Sequence, residues 1–467
     1  MKKSFLPVIL AAIFLIAAKG QSDDYWVYPE LSEICSAGKC LCQNDDKEIA
    51  FAKGPGENDD DVWMTKVDSL GKIIFTKKIY DATSQSCAND ILANGKNFII
   101  AGIGTRDTST TDYALLIKVD NSGNVIKDTT WIPSSYYTAG LTHVMESNGE
   151  YIAIGTVKRY RENYNLYIVK FNEDLEIQWE KFYREKIVTA VVKDGNSYVG
   201  MQQISEGKIF SIKFDENGDV VWEKEEDPGI GKYSFLVQNI SVCNDGYIAI
   251  GLEQPSGNKS DKTLLIKFDK NGSFVWKKTY TELIGQHRGR NLWEINGEHI
   301  LIVEYSKDFG SERYLIKTDN NHTILAMKKC GWYSSSASIL TTDGKIIILG
   351  FDISGEKWFP SIYKTNYNFN SGIWHEENNQ PQLRLLQNYP NPFNCFTCIS
   401  YYLPEDGEIN LAVYDLTGRR INTLFEGWQK SGQHSVYWQA TDCPSGIYIY
   451  KISTADQTIC KKMVLIK

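Results

Sequence analysis

Residues 264–276 read LLIKFDKNGSFVW, and residues 210–222 repeat the pattern as FSIKFDENGDVVW. Each copy is an apolar run around a lysine, then an Asp-x-x-Gly turn, then a second run that ends in tryptophan. Related copies bring the total to seven, with central lysines Lys66, Lys118, Lys170, Lys213, Lys267, Lys317 and Lys364. The successive intervals are 52, 52, 43, 54, 50 and 47 residues. A period near 50 suits a four-stranded propeller blade better than a helical solenoid repeat.

A second motif precedes each lysine by about 15 residues. It is a β-branched or aromatic run that ends in a small residue, such as the YIAIG of residues 151–155 and 247–251. Tight-turn signals such as Asn148-Gly149 and Asp343-Gly344 come before most copies. Each unit therefore predicts strand, tight turn, strand, variable loop, strand, Asp-x-x-Gly turn and strand, because Asp and Gly occupy positions that a type I turn prefers.

Seven such units predict an all-β fold with a seven-bladed β-propeller over residues 35–378. A pair of β-sandwiches is the alternative, and the regular period argues against it. The sequence does not show which terminus completes the last blade. Residues 25–28, in a lead-in over 21–34, are a candidate for an additional strand.

The repeated aromatic and basic residues are expected to serve the repeat. The tryptophans of the fourth strands should fill the wedges between blades, and they are Trp179, Trp222, Trp276 and Trp374. The seven lysines alternate with apolar neighbours and are expected to extend outward along the blade edges. The functional alternatives are an aromatic platform for sugars and a ligand-binding ring of lysines.

The repeat unit resembles the seven-bladed and pyrroloquinoline-quinone-like propeller repeats in its turn followed by tryptophan. It departs from the quinone enzymes, because lysine stands where their docking repeat has alanine and no Cys-Cys pair is present. Its turn spacing also differs from the sialidase Asp-box. The resemblance therefore supports the fold and not an enzymatic activity.

Composition excludes several classes of protein. The 467 residues carry 50 Lys plus Arg against 58 Asp plus Glu, a net charge of −8 without a basic cluster, so a nucleic-acid partner is not expected. With 42% hydrophobic and 12% aromatic residues, the chain is too rich in core formers to be disordered. We expect a monomer.

The first residues predict export. Lys2 and Lys3 precede an apolar run from Phe5 to Ala18, which is shorter than the roughly 20 residues of a membrane-spanning helix. Residues 1–20 are therefore interpreted as a signal peptide, with an uncleaved membrane anchor as the alternative. Export makes disulfides permissible.

Motifs for catalysis and cofactors are missing, so the prediction is no cofactor, no metal ion and no catalytic residue. No nucleophile elbow, zinc-binding helix or phosphate-binding loop occurs. The histidines are dispersed, at His143, His287, His299, His322, His375 and His434. The acidic run at residues 57–61 is interpreted as a solvated hairpin tip, with calcium binding as the alternative. Cys35, Cys40 and Cys42 predict a disulfide among themselves or to Cys87, with a metal site as the alternative.

The composition changes at the linker 379–382, and the tail over 383–467 reads as a small antiparallel β-sandwich. Its motifs are NYPNPFN at 388–394, Gly-x-His at 432–434, Ser-Gly-Ile-Tyr at 445–448 and KKMVL at 461–465. Cys395 and Cys398, with Cys443 and Cys460, predict disulfides in preference to a four-cysteine zinc site, whose pairs would be closely spaced.

These motifs, in this order, resemble the type A C-terminal sorting domain of the type IX secretion system. The resemblance implies export through the inner membrane by the signal peptide, then recognition of the tail by the outer-membrane secretion machinery. It also implies removal of the tail, and release or attachment to surface lipopolysaccharide. The residues that it assigns to the sorting signal are Asn388, Tyr389, Pro390, Asn391, Pro392, Phe393, Gly432, His434, Gly446, Tyr448, Lys461, Lys462 and Val464.

Together these features predict a secreted or cell-surface protein of a diderm bacterium whose propeller is a binding scaffold for an extracellular glycan or protein. The alternative is a polysaccharide hydrolase or lyase with its site in the central funnel. Two or more carboxylates at the ring centre would favour the enzyme. Apolar and neutral groups there would favour binding.

Overall fold

The computed structural model describes most of the chain outside its N-terminal segment. The described residues are 24–28, 38–53, 61–81, 84–105, 111–204, 207–230, 237–254, 261–281, 283, 285–307, 310–332, 335–354, 357–367, 383–385, 388, 391, 393–394, 396–440 and 443–466. In these ranges the regular secondary structure is entirely β-strand. The signal-peptide prediction, the linker 379–382 and Trp374 lie outside them.

The chain divides into two compact units, one formed by residues of Gln21–Ile373 and the other containing residues of Trp374–Lys467. The described part of the first unit has 28 strands. In chain order they are β1 Asp24–Val27, β2 Gly38–Gln43, β3 Ile49–Lys53, β4 Val62–Val67, β5 Ile73–Tyr80, β6 Ser84–Asn94, β7 Asn97–Thr105, β8 Tyr113–Asp120, β9 Val125–Trp131, β10 Thr138–Ser147, β11 Glu150–Lys158, β12 Tyr164–Phe171, β13 Ile177–Tyr183, β14 Ala190–Asp194, β15 Ser197–Gln203, β16 Ile209–Asp215, β17 Val220–Glu226, β18 Asn239–Cys243, β19 Gly246–Glu253, β20 Lys262–Asp269, β21 Phe274–Thr279, β22 Gln286–Ile295, β23 Glu298–Lys307, β24 Gly310–Thr318, β25 Ile324–Trp332, β26 Ser335–Leu340, β27 Lys345–Ser354 and β28 Lys357–Asn366.

These strands form seven antiparallel four-stranded sheets, which are the blades of a seven-bladed propeller. Blades 1 to 6 each use four consecutive strands, beginning with β2–β5 and ending with β22–β25. Blade 7 has the order β1-β28-β27-β26, so its fourth strand comes from the N-terminal end of the chain. Asp24 pairs with Lys364 and Val27 with Ser361. The ring therefore includes Asp24–Val27, which lie within the segment 21–34 that the sequence assigned to a lead-in.

The hydrophobic core of the ring consists of seven clusters, one between each pair of neighbouring blades. The cluster that joins blade 7 to blade 1 includes Leu349 and Ile362 on one side and Phe51 on the other, with Tyr28 next to β1. Both faces of each middle strand are buried, which explains the continuous apolar runs of the repeat motif. The closed succession of clusters makes the ring one continuous body.

The turns form as their residues predict. In six blades an Asp or Asn at the start of the third turn accepts backbone N–H groups from the residues two and four positions later; these are Asp68, Asp120, Asn172, Asp215, Asp269 and Asp319. The hairpin residues Asn148 and Gly149 both have positive φ, at 51° and 80°. This is the backbone conformation of a type I′ turn.

The second unit is the predicted β-sandwich. Its strands are β29 Arg384–Leu385, β30 Phe396–Leu403, β31 Gly407–Asp415, β32 Arg420–Gln429, β33 Gly432–Gln439, β34 Gly446–Ser453 and β35 Thr458–Leu465. One sheet has the order β29-β30-β33 and the other β32-β31-β34-β35. Trp438, Tyr401, Tyr450 and Met463 are among the buried residues of their shared core.

In the part of the chain that the structure describes, no helix is long and apolar enough to span a membrane.

Candidate functional sites

The two ends of the sorting motif meet in the tail. Phe393 donates its N–H to the Val464 carbonyl at 2.9 Å, and Ile466 donates to the Phe393 carbonyl at 2.8 Å. The Oδ1 atom of Asn391 accepts the Val464 N–H at 2.8 Å. Asn388 is buried, and its Nδ2 donates to Thr397 Oγ1 at 2.9 Å. The described residues of NYPNPFN therefore hold the final strand β35 on the side away from β34; Tyr389, Pro390 and Pro392 lie outside the description.

The other predicted sorting residues flank this contact. The Phe393 ring packs against Trp438, which in turn meets Tyr448 edge to face with centroids 5.4 Å apart. His434 is tied to Gln429 and to the Lys430 carbonyl, at 2.8 and 2.7 Å. Gly432 and Gly446 begin β33 and β34. Lys461 and Lys462 lie on β35, opposite Tyr450 and Ile449 of β34.

β35 is an edge strand of its sheet, and its side chains alternate between buried and more exposed positions. Met463 and Leu465 are buried, whereas Lys462 is exposed and Val464 is half-buried. An edge strand presents unpaired backbone groups to any partner that adds a strand. Phe393 thus holds the C-terminal end of the strand that carries the KKMVL motif. At the other end of the motif, Lys462 is exposed and Lys461 is half-buried.

The seven repeat lysines do not extend outward as expected, and this expectation was wrong. Lys66 is 2% exposed; its Nζ contacts Glu48 at 2.8 Å and the carbonyl of Asn121, in the next blade, at 2.7 Å. Other lysines pair with acids of the first hairpin in their own blade; these pairs are Lys170–Glu150, Lys213–Asp194, Lys267–Asp245 and Lys317–Glu298. Lys118 bonds to Glu173 of the next blade. Lys66, Lys118, Lys267 and Lys364 are buried, and the other three are half-buried. The six lysines with acidic partners therefore act as electrostatic ties, because a buried charge must be paired.

The aromatic residues of the fourth strands contact the next blade. Trp179 lies against the turn glycine Gly218, and Trp222 lies against Gly272. Trp276 lies against His322, with ring centroids 4.1 Å apart. These contacts give the three tryptophans the structural role of wedges between blades.

The cysteines with described side chains are all free thiols: Cys40, Cys42, Cys87, Cys243, Cys330, Cys443 and Cys460. Burial, with the nearby Asp90 carboxylate, raises the pKa of the Cys40 and Cys42 thiols. Cys35 and Cys395 lie outside the description, as do residues 57–60 of the acidic run. Asp61, at the end of that run, pairs with Lys78 at 3.1 Å.

Besides His434, two histidines of the ring have structural hydrogen bonds. His287 is buried and bonds to Thr263 and to the Leu283 carbonyl, each at 3.0 Å. His143 bonds to Thr142 Oγ1 at 2.9 Å, and burial lowers its pKa to about 4. His299 and His322 differ, because they lie together with ring centroids 4.9 Å apart. His375 is outside the description.

The first strands of the blades contact each other around the ring centre. They contain four carboxylates, and Glu146, Asp194 and Glu294 lie at or beside the hairpin ends. Asp90 lies farther along β6 and accepts the N–H groups of Ile91 and Val144, each at 2.9 Å. Burial raises the pKa of Asp90 to about 7, despite these two hydrogen bonds. Of the four carboxylates in the described first strands, only that of Asp90 lies away from a hairpin end.

Sequence reasoning missed an aromatic surface on blade 3, which we call the blade-3 surface. It consists of Tyr136, Tyr137, Tyr160, Tyr164 and Phe182. Tyr136 stacks on Phe182 at 4.8 Å, and Tyr137 meets Tyr160 edge to face at 5.8 Å. Tyr160 is 68% exposed, and Tyr137, Tyr164 and Phe182 are also exposed. The clustered tyrosines at 136–137 and 160–164 were the available signal.

Three cations lie over the rings of this surface. Arg159 covers Tyr136 at 5.0 Å, Arg161 covers Tyr160 at 5.3 Å and Lys158 covers Tyr164 at 4.8 Å. Glu180 is engaged below them by Tyr167 and by the Trp131 indole. Exposed tyrosine with arginine is the composition of binding hot spots. The surface therefore offers flat apolar rings with a positive rim.

Comparison with known families matches the tail alone. The family described as secretion system C-terminal sorting domain matches residues 387–467. A search of the curated proteins finds no match.

Several solved structures are similar to the chain at low identity. The Dos1 propeller is 12% identical, with a TM-score of 0.45, over 72% of this chain and 81% of that one. A subtype N11 neuraminidase-like protein of A/flat-faced bat/Peru is 8% identical, with a TM-score of 0.39, over 75% and 96%. An alpha-L-arabinofuranosidase from Lactobacillus brevis is 10% identical, with a TM-score of 0.34, over 50% and 91%.

Proposed function

Residues 387–467 are a C-terminal sorting domain of the type IX secretion system, and from this premise we propose that the propeller is a binding scaffold for an extracellular acidic glycan. The sorting domain delivers the protein to the cell surface or the medium of a diderm bacterium. A rigid ring with a specialised loop surface is a common design for recognition outside the cell.

The blade-3 surface is the observation that supports this proposal. Its exposed rings offer the flat apolar faces on which sugar rings stack. Lys158, Arg159 and Arg161 supply charge for carboxylate or sulfate groups. Exposed aromatic clusters on a protein of net charge −8 are otherwise unfavourable in water, which favours a binding role for this one.

The hydrolase alternative has weaker support. Hydrolysis of a glycosidic bond usually needs two carboxylates about 5 to 9 Å apart. Asp90, whose raised pKa suits a general acid, lies mid-strand, and the other carboxylates of the described first strands are at or beside hairpin ends. The carboxylates of the described first strands therefore give the hydrolase less support than the blade-3 surface gives a binding role.

For the tail, we propose that the 13 motif residues named above form the sorting signal, with β35 and the Phe393 contact at its centre. The signal peptide 1–20 would deliver the chain to the periplasm. Removal of the tail and attachment to lipopolysaccharide would follow export. The ring would act as a monomer.

A glycan array with the purified full chain, which retains the tail, tests the binding proposal. Acidic polysaccharides should be retained, and Tyr160→Ala and Arg161→Gln should each weaken binding about 30-fold, the effect of losing a hot-spot side chain of about 2 kcal/mol. Trp428→Ala, which removes an exposed ring from the tail, is the matched control and should bind normally. Equal binding by all variants would refute the role of this surface. Release of reducing ends by the wild type would favour the hydrolase.

A further inference from the structure

Blade 6 departs from the three blades before it at one position of its second strand. The second strand of blades 3, 4 and 5 begins with a buried tyrosine, at Tyr151, Tyr198 and Tyr247. The hydroxyls of these tyrosines bond to the first hairpin of the preceding blade; Tyr247, for example, donates to Asp194 Oδ2 at 2.8 Å. Blade 6 has His299 at this position, and His299 is 4% exposed.

The hairpin that His299 faces has changed as well. The residue of blade 5 that corresponds to Asp194 of blade 4 is Cys243, the last residue of β18. Glu294 is the cross-strand partner of His299 across the tight turn at Asn296-Gly297. The ligand atoms of Cys243, Glu294 and His299 all lie within 4.8 Å of one another. Between blades 4 and 5 a tyrosine is paired with a carboxylate. At the equivalent place between blades 5 and 6, the chain has a thiol, an imidazole and a carboxylate.

The His299 ring has unsatisfied polar atoms. Among the described residues, neither Nδ1 nor Nε2 has a partner at full hydrogen-bond geometry, although both atoms are buried; the Asp319 backbone acts on the ring without meeting that geometry. The Nε2 atom lies 3.8 Å from Glu294 Oε2, beyond hydrogen-bond distance. A buried polar atom without a partner costs about 1 to 3 kcal/mol, so such a pair in a native fold indicates an ion or a water molecule.

His322 is a third departure at the same place. Its position holds glycine at positive φ in four other blades, at Gly71, Gly123, Gly218 and Gly272. His322 adopts φ 60° there, and its ring lies between Trp276 and His299, with centroids 4.1 and 4.9 Å away. Its Nδ1 atom is also buried and lacks a partner among the described residues. A non-glycine residue with left-handed backbone is uncommon.

From these observations we infer that Cys243, Glu294 and His299 bind a divalent transition metal ion of the zinc class, with the His322 ring packed against His299. Thiolate, imidazole and carboxylate are the ligands that Zn²⁺ accepts in tetrahedral sites. Tetrahedral bonds of 2.0–2.3 Å separate ligand atoms by about 3.3–3.8 Å. The present spacing therefore needs only small side-chain rotations. The ion would join blade 5 to blade 6.

The charges around the site are compatible with a cation. Lys267 acts on Cys243 and His299 as a positive charge, and it is paired with Asp245. Lys278 and Asp319 act on His322 with opposite signs. Burial lowers the pKa of both histidines. Burial and Glu294 raise the pKa of the Cys243 thiol to about 12, and metal binding would displace its proton.

The test uses the full chain without a histidine tag, stripped with a chelator and titrated with Zn²⁺ and Co²⁺. We expect one Zn²⁺ per chain by elemental analysis and a thiolate-to-cobalt charge-transfer band with Co²⁺. Cys243→Ser and His299→Tyr should weaken binding by more than about 10-fold. His299→Tyr restores the residue of blades 3, 4 and 5, and it should therefore fold even if Cys243→Ser does not.

Two controls separate a built site from incidental binding. Cys460→Ser removes an exposed thiol of the tail and should bind one Zn²⁺ like the wild type. Zn²⁺ should raise the unfolding temperature of the wild type and not that of His299→Tyr, because a ligand of the native state stabilises it. Failure of the wild type to bind Zn²⁺ at micromolar free metal, or equal binding by a folded His299→Tyr, would overturn the inference.

Discussion

At the scale of single residues, the repeat uses buried charge where an apolar residue would have been simpler. Lys66 has its ammonium group between Glu48 of its own blade and Asn121 of the next. Removing one member of a buried pair leaves the other uncompensated, which is more damaging than losing an exposed pair. The lysine thus fixes the register of one blade against its neighbour.

We therefore expect Lys66→Met to lower the free energy of unfolding of the ring by about 3 kcal/mol, because Glu48 and Asn121 lose their shared partner. Lys72→Met changes an exposed lysine of the same blade and should have an effect below about 0.5 kcal/mol. Urea unfolding followed by tryptophan fluorescence measures both. Equal midpoints for the two variants would show that the tie does not stabilise the ring.

The turn glycines give a second prediction at this scale. Gly218 has φ 76°, and a Cβ atom there would lie 2.8 Å from Cη2 of Trp179. Gly195, in the same blade, has φ 63° and would place its Cβ in open space. Gly195→Ala should cost about 1 kcal/mol from backbone strain alone. Gly218→Ala should cost about 2 to 3 kcal/mol, because the tryptophan must also move. Thermal unfolding of the pair isolates the contribution of the contact.

The reactivity of the thiols gives a third prediction at this scale. Cys40 and Cys42 are buried thiols with raised pKa, and Cys460 is exposed. Because the thiolate is the reactive form, Cys460 should react with an alkylating reagent at pH 8, whereas Cys40 and Cys42 should react only after unfolding. Mass spectrometry of the labelled peptides provides the readout. A Cys40 or Cys42 that stays unlabelled in denaturant without reductant would instead establish the disulfide that the sequence predicted.

At the scale of elements, the sequence predicted the turns correctly, because their conformation depends on residues close together in the chain. The tight hairpins and Asp turns follow from residues within five positions of each other, so Asn148-Gly149 and Asp215–Gly218 were readable. For the fourth strand of blade 7, the sequence offered residues 25–28 as a candidate strand but did not give its partner, because β1 pairs with a strand more than 300 residues away. The blade-3 surface and the cluster around His299 were missed for the same reason, since each joins residues from separate strands or blades.

Closure of the ring by β1 leads to a fourth prediction. A chain that begins at residue 29 lacks β1 and Tyr28, so β28 has an unpaired edge and the cluster between blades 7 and 1 loses a buried ring. Four lost strand pairings at about 1 kcal/mol each, with the tyrosine, should lower stability by at least about 5 kcal/mol. A chain that begins at residue 22 is the control. Equal unfolding temperatures for the two chains would contradict closure by β1.

At the scale of the whole molecule, the two units have different tasks. The ring is closed by its own strands, since β1 completes blade 7 and seven clusters join the blades in turn. The tail has its own core, with Trp438 and Tyr450 at its centre. The sequence distinguished a propeller from a β-sandwich, because the repeat stops before the tail motifs begin. The repeats themselves left the ligand of the ring unspecified.

The last prediction follows from this division. Deleting residues 383–467 should leave the ring folded, because no blade takes a strand from the tail. In a host with the type IX secretion system, the truncated protein should accumulate in the periplasm, since the proposed signal peptide still acts.

Changing Lys461, Lys462 and Val464 together to alanine should reproduce this arrest without unfolding the ring. The control variant combines Arg420→Ala with Lys430→Ala, which alter exposed basic residues outside the proposed signal. The control should be exported normally. Asn391→Ala removes the acceptor of the Val464 N–H and should reduce export in proportion to the loosening of β35. Fractionation into periplasm, surface and medium measures each version. Because the sorting machinery must read a structure that the ring does not contain, surface delivery of the truncated protein at normal levels would mean that the sandwich does not carry the address.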